Sequence, residues 1–209
     1  MMKLGTDGFR GVIGVDFTKE NVCKIIQCAC DIIKKKKFKN EVVVGCDNRF
    51  MSEHYAKWIS EVLVANGIKV LLTDSSVPTP LVSFATKYLH NQMGMMVTAS
   101  HNPYTFNGVK FFTREGRGIE PDIEEAFNKM LNKTKKVKSV DFEAALSQGK
   151  IVLSNFTKEY VKKAHKEGIM VNPWTVNKEK EIKRMIFCGV DGIITDAPGL
   201  CNKLINSWF

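Results

Sequence analysis

Between residues 18 and 97 the hydrophobic period switches repeatedly between that of a helix and that of a strand, and this alternation restricts the fold more than any other feature. Thr18 to Lys37 carries Val22, Ile25, Ile26, Ala29, Ile32 and Ile33 at helical spacing, with Thr18 and Asn21 available for N-terminal capping. Val42 to Cys46 is a short β-branched run between polar residues, which predicts a buried strand. Ser52 to Ala65 returns to the helical period and is stopped by Asn66-Gly67. A strand at Lys69 to Leu72, a helix opened by Pro78-Thr79-Pro80 and running to about Tyr88, and a strand at Gly94 to Val97 complete a β-α-β-α-β series. Such a series predicts an α/β fold in three layers, α/β/α, with a mainly parallel mixed sheet. Asn107-Gly108 reads as a turn and Val109 to Phe112 as a strand returning antiparallel, followed by a helix from Asp122 to Leu131.

From Asn132 to Lys150 the chain is polar and lysine-rich, with only a weak helical patch around Phe142 to Leu146, so the domain is expected to end near residue 155. The pattern then restarts: a strand at Ile169 to Val176, a helix at Glu179 to Phe187 closed by Gly189, a strand at Gly192 to Thr195, and an apolar tail. Two βα units in about forty residues are too few to bury a sheet of their own. The expected division is residues 1–160 and 161–209.

Composition narrows the function classes. No apolar run of about 18 residues is present and the N-terminus has no leader pattern, so the expectation is a cytoplasmic protein without a membrane partner. None of the six cysteines makes a Cys-x-x-Cys pair, and buried reduced thiols are expected. The net charge of +9 is spread: residues 161–209 hold 8 Lys/Arg against 5 Asp/Glu, leaving 23 against 17 before them. Lys34 to Lys37 end a helix, where cations suit the dipole. An anionic small substrate fits this balance better than nucleic acid.

Thr98-Ala99-Ser100-His101-Asn102-Pro103 follows a buried strand directly. In a parallel α/β sheet, loops at the carboxyl ends of strands hold ligands, which would present Ser100 at the rim. The alternatives are a nucleophile helped by His101 or an ordinary polar loop. Gly5-Thr6-Asp7-Gly8-Phe9-Arg10-Gly11 is a glycine-rich loop able to bring N–H groups and the Arg10 guanidinium to phosphate oxygens, or simply a turn with an exposed arginine. Lys110 on the returning strand offers a second cation or proton carrier, and Gly45-Cys46-Asp47-Asn48-Arg49 places another arginine at the same sheet edge.

On these segments, with Val77 to Pro80, residues 1 to about 155 resemble the N-terminal domain of the α-D-phosphohexomutases, the phosphoglucomutase/phosphomannomutase family. The resemblance implies an intramolecular phosphotransferase that converts hexose 1-phosphate to hexose 6-phosphate through a phosphoserine and a hexose bisphosphate, with Mg2+. It casts Ser100 as the phosphoserine, whose phosphate oxygen is the one metal ligand of this domain. Arg10 and Lys110 would stabilise transferring charge, His101 would support the loop, and Thr6, Arg10 and Arg49 would bind phosphate. Cations around the equatorial oxygens are what such a transfer asks of a protein.

Members of that family have four domains, and no Asp-Gly-Asp-Gly-Asp-like metal loop occurs in these 209 residues. The chain is therefore expected to be inactive alone, or completed by another chain that supplies the missing domains. A non-catalytic phosphosugar-binding module is a further alternative. His165 to Leu204 resembles the last βα units of glycerophosphodiester phosphodiesterases, which are TIM barrels, with Trp174 and Asp196 at positions near the barrel mouth. The catalytic histidines of that family would lie on earlier strands, so no diesterase activity is expected. A junction around Tyr160 to His165 fits a truncated fusion or, as the preferred reading, a chimeric frame.

Overall fold

The computed structural model describes residues 3–5, 8–131, 133–134 and 136–208, and it divides into units at residues 1–154 and 155–209. The first unit holds β1 (Phe9–Val12), α1 (Lys19–Lys35), β2 (Glu41–Cys46), α2 (Ser52–Ala65), β3 (Lys69–Thr73), α3 (Thr79–Tyr88), β4 (Met93–Val97), β5 (Phe106–Thr113), α4 (Pro121–Leu131), α5 (Phe142–Ser147) and β6 (Ile151–Ser154). Its six strands form one sheet in the order β1-β5-β4-β2-β3-β6. The pairs β2 with β3, β2 with β4 and β3 with β6 are parallel, whereas β5 runs antiparallel to both β4 and β1. The predicted mixed, mainly parallel sheet is thus present.

The larger core lies between the sheet and α1, α2, α4 and α5. Helix α1 starts where Thr18 Oγ1 accepts a hydrogen bond from Asn21 N at 3.2 Å, and it turns Ile25, Ile26 and Ile33 inward until none is exposed. Each such side chain contributes about 1.5–3 kcal/mol relative to exposure. On the opposite face α3 packs against β2, β4 and β5. It sits close because β2 and β4 offer glycine there: a Cβ on Gly45 would come within 2.5 Å of Val82 Cγ2, and one on Gly94 would overlap the Thr86 side chain of α3.

Several expectations need correction. Asn107-Gly108 is no turn but lies inside β5, whose first residue, Phe106, pairs with Val12 of β1. Arg10 and Gly11, expected in a glycine-rich loop, belong to β1. The edge strand β6 has no counterpart among the expected elements. The second unit holds α6 (Phe156–Lys166), α7 (Glu179–Cys188) and α8 (Pro198–Asn206); α7 and α8 pack around Val176, Ile182, Cys201 and Leu204, and Gly189 closes α7 at φ 77°. The strands expected at residues 169–176 and 192–195 do not form. These segments are instead joined by three main-chain bonds, Asp191 N to Val171 O, Ile194 N to Pro173 O and Val176 N to Ile194 O, at 3.0–3.1 Å. Among the described residues no further segment extends the pairing there, and a two-stranded ribbon is marginal on its own. Among the described residues, no helix is long and apolar enough to cross a membrane.

All six cysteines are free and buried. Burial pushes the Cys23 thiol up to about 11 and those of Cys30 and Cys46 up to about 12; at Cys46 the nearby Glu53 and Asp47 add to the effect. Since the thiolate is the reactive form, these three should resist alkylation in the native protein at about pH 8 and react fully once it is unfolded. The same shifts give alkaline lability. The folded state keeps its thiol protons, so stability is complete below the ordinary value of 9.0 and is lost as pH rises from there towards about 12. A mass-spectrometric alkylation series, native against unfolded, checks the first point, and fast labelling of Cys46 in the native protein would contradict it.

Candidate functional site

The chain runs from β2 through α2 to β3 on one side of β2, then returns through α3 to β4 on the other side. The carboxyl ends of β2 and β4 therefore flank the point where strand order reverses, the place where open α/β sheets bind ligands. Arg49 follows β2 and Ser100 follows β4, so the topology delivers these residues to one rim.

The ladder continues past the strand ends, with Asp47 N donating to Val97 O at 3.1 Å and Thr98 N to Gly108 O at 2.9 Å. Beyond it the chain turns sharply. Ala99 is fully buried, while Ser100 is exposed and adopts a left-handed conformation with φ 56°. That region costs a residue with a Cβ roughly 1–2 kcal/mol. The turn is held by Ser100 N donating to Thr98 Oγ1 at 3.0 Å and Asn102 N donating to Ala99 O at 3.1 Å. Ser100 is thus lifted clear of the surface by a constrained loop. Backbone strain of this sort concentrates at sites where a side chain must be presented.

Arg10 reaches this loop from β1. It pairs with Gly108 in register, so it emerges on the same face of the sheet as Lys110, opposite Phe9 and the larger core. Gly108 makes the crossing possible: a Cβ there would lie 2.9 Å from Arg10 Cγ and 2.7 Å from Thr98 O. The Arg10 side chain passes over that bare backbone, and its Nη1 donates to Asn102 Oδ1 at 2.9 Å. Lys110 is half-buried in β5, with Nζ 5.9 Å from the centre of the Phe112 ring. His101 is exposed beside Ser100. Thr6 lies outside the described residues.

Arg49, expected among the phosphate ligands, lies against the loop that carries Ser100. Its guanidinium is turned into the loop: Nη1 donates to Pro103 O and Phe106 O at 2.9 and 3.1 Å, and Nη2 to Ser100 O and Asn102 O at 2.7 and 2.6 Å. Its Nε lies 3.7 Å from Asp47 Oδ2. The four Nη hydrogens thus each have a carbonyl acceptor within the loop, while Nε faces the Asp47 carboxylate at ion-pair distance.

Three residues that sequence reasoning does not single out complete the frame. Asp47 Oδ1 accepts from Arg49 N at 3.0 Å and from Ser52 Oγ at 2.9 Å. Asn107, fully buried, donates through Nδ2 to Ser52 Oγ at 2.9 Å and Phe50 O at 3.3 Å, and accepts from Gly108 N at 2.8 Å. Asn102 accepts from Arg10 through its side chain and from Arg49 through its carbonyl. A hollow of about 460 Å3 beside this frame is lined by residues 47–54 and Ser76, with both carboxylates (Asp47, Glu53) and basic side chains (Arg49, His54) on its walls. The cationic side is that of Arg10 and Lys110.

Among the described residues no group of three or more His, Cys, Asp or Glu could hold a metal ion.

Comparison with known proteins agrees with the geometry. The family described as phosphoglucomutase/phosphomannomutase, alpha/beta/alpha domain I, matches residues 1–138. A phosphoglucomutase from Staphylococcus saprophyticus is 30% identical over 170 residues, which are 78% of this chain and 31% of that protein. A phosphoglucosamine mutase from Finegoldia magna is 34% identical over 129 residues, 61% of this chain and 28% of its own length. A crystal structure of a candidate phosphomannomutase from Thermus thermophilus superimposes with a TM-score of 0.74 at 26% identity, covering 93% of this chain and 45% of that one. The chain spans about a third of the length of the curated relatives it matches. By the match over its first 138 residues and by the fold that carries Ser100, the chain belongs to the phosphoglucomutase/phosphomannomutase family.

Proposed function

We propose that this chain is the phosphoserine-bearing part of a hexose-phosphate phosphotransferase. Phosphorylated Ser100 gives its phosphoryl group to the free hydroxyl of a hexose monophosphate, with Ser100 Oγ as the leaving group and the hydroxyl proton passing to a base, so that a hexose bisphosphate forms. Ser100 Oγ then attacks the other phosphorus as its P–O bond to the sugar breaks, the sugar oxygen regains a proton, and phosphoserine is restored with the isomeric monophosphate released. The observation that carries this reading is the exposed, left-handed Ser100 on a loop that Arg10 touches through Asn102. Arg10 and Lys110 supply positive charge on one face of the sheet, where the equatorial oxygens of a transferring phosphoryl group need it. His101 flanks the nucleophile as a group able to exchange protons at the loop surface.

Mg2+, the remaining phosphate-holding groups and the sugar-selecting residues belong, in this reading, to parts that the longer relatives have and these 209 residues do not include. The phosphodiesterase resemblance of residues about 165–204 brings no catalytic role to the second unit. His165 Nε2 lies 2.9 Å from Asp191 Oδ2, which also accepts from Val171 N at 2.7 Å, and Asp196 Oδ2 accepts from Asn177 Nδ2 at 2.8 Å. These groups fasten the unit's own loops. The working compartment, in this reading, is the cytoplasm.

The test is phosphate on Ser100. After incubation with a hexose 1,6-bisphosphate, the intact protein should be one phosphate heavier, with the modification mapped to the Ser100 peptide, and Ser100→Ala should gain none. Saturable binding of the bisphosphate with no phosphate on Ser100 would overturn transfer in favour of a phosphosugar-binding module.

A further inference from the structure

We infer that Arg49 is a positioning residue for Ser100, acting through four main-chain carbonyls, and that it does not bind phosphate. The inference goes beyond the proposed phosphoserine function and rests on it only for the purpose that the positioning serves.

The loop is costly to hold in one shape. Residues 98–106 leave a buried strand, place Ser100 at positive φ and re-enter the sheet at β5, so their carbonyls cannot all be paired along a ladder. Unpaired carbonyls near the surface would let the loop exchange among conformations. Arg49 removes that freedom by bonding to the carbonyls of Ser100, Asn102, Pro103 and Phe106, which span the loop from its tip to its return. A fork with two terminal nitrogens, each donating twice, reaches all four acceptors. A lysine ammonium, with one nitrogen and three hydrogens, cannot span them.

The fork is itself aimed. Its Nε faces Asp47 Oδ2, its main-chain N–H donates to Asp47 Oδ1, and Ser52 Oγ at the start of α2 fixes the same carboxylate. The Arg49 side chain is only 17% exposed. Position therefore passes from β2 and α2 to the loop after β4, and through Asn102 to Arg10. Arg49 stands behind the nucleophile while Arg10 stands beside it.

The experiment compares wild type with Arg49→Lys, which keeps the positive charge and the aliphatic stem. Native-state amide exchange is read at Ser100, Asn102 and Phe106, whose N–H groups are hydrogen-bonded within the loop, and at β2 and β3 as internal controls. The expected result is faster exchange by about tenfold or more at the three loop amides, with the β2 and β3 amides unchanged. In the wild type, Arg49 should also show separate, slowly exchanging Nη resonances, unlike a solvated guanidinium. Loop exchange within about twofold of wild type, or acceleration spread equally over the sheet, would overturn the inference. Phosphate on Ser100 is followed in the same samples. If the wild type never acquires it, the phosphotransferase reading fails while the exchange data still decide the role of Arg49.

Discussion

Gly94→Ala is expected to cost on the order of 2–3 kcal/mol of folding stability, a large penalty for one methyl group. The added Cβ would overlap Thr86 Oγ1 and lie 3.0 and 3.1 Å from Thr86 Cβ and Cγ2. Thr86 cannot swing aside easily, since it is fully buried and its hydroxyl donates to Val82 O at 2.7 Å. Relief requires α3 to lift from the sheet, which would open the contact made over Gly45 as well. Truncating the obstacle should reveal the cause: in the double variant Gly94→Ala, Thr86→Ala, the two effects should fall short of additivity by at least about 1 kcal/mol. Urea unfolding of the four proteins in the cycle measures this. Additivity within about 0.5 kcal/mol would mean that Thr86 is not what limits residue 94.

Asn107→Asp should be comparably damaging without any steric change, at about 2–4 kcal/mol near neutral pH. The substitution removes the donor to Ser52 Oγ and Phe50 O and puts a carboxylate at a fully buried position, in a network that already holds Asp47. Burial disfavours the charged form, so the folded-state pKa of the new carboxyl is raised. A raised pKa means that its folded form is favoured at low pH and penalised as pH rises. The stability gap between wild type and variant should therefore narrow as pH falls from about 7 towards 5, where a protonated carboxyl becomes a donor again. Paired urea titrations at the two pH values test this, and a small gap independent of pH would contradict it.

How far the sequence reveals the structure depends on where the physical cause lies. Elements with a strong period, such as α1 through Ile25, Ile26 and Ile33 or β2 through Val42 to Val44, are legible because burial follows directly from local pattern. Strand β1 is hidden by its one glycine. Gly11 faces Asp16 at a distance that admits no Cβ, a tertiary reason with no local signature. Asn107-Gly108 carries the usual composition of a turn, but here Asn107 caps a polar network and Gly108 clears space for Arg10. The loop that presents Ser100 is legible from its place after a buried strand, whereas Arg10 and Lys110 lie within β1 and β5, where only the pairing of those strands brings them to one face. The direction in which Arg49 points is not legible, because its acceptors are main-chain carbonyls that any sequence possesses. The strands expected in the second unit fail for a different reason: strand propensity needs neighbours, and Val171 to Val176 finds only the segment around Ile194.

The antiparallel pairing of β1 with β5 also bears on the order in which the protein comes into being. Phe9 finds its partner in Val109, and Arg10 its acceptor in Asn102, so β1 waits for about a hundred residues of synthesis before it can be paired. Loop closure of that length gains little until β2, β3 and β4 have lined up beside it. Until Ser100 and β5 have been made, β1 has no strand to pair with. The charged rim around Ser100 accordingly takes shape only once β5 joins β1 to β4, and no growing chain displays it before that pairing.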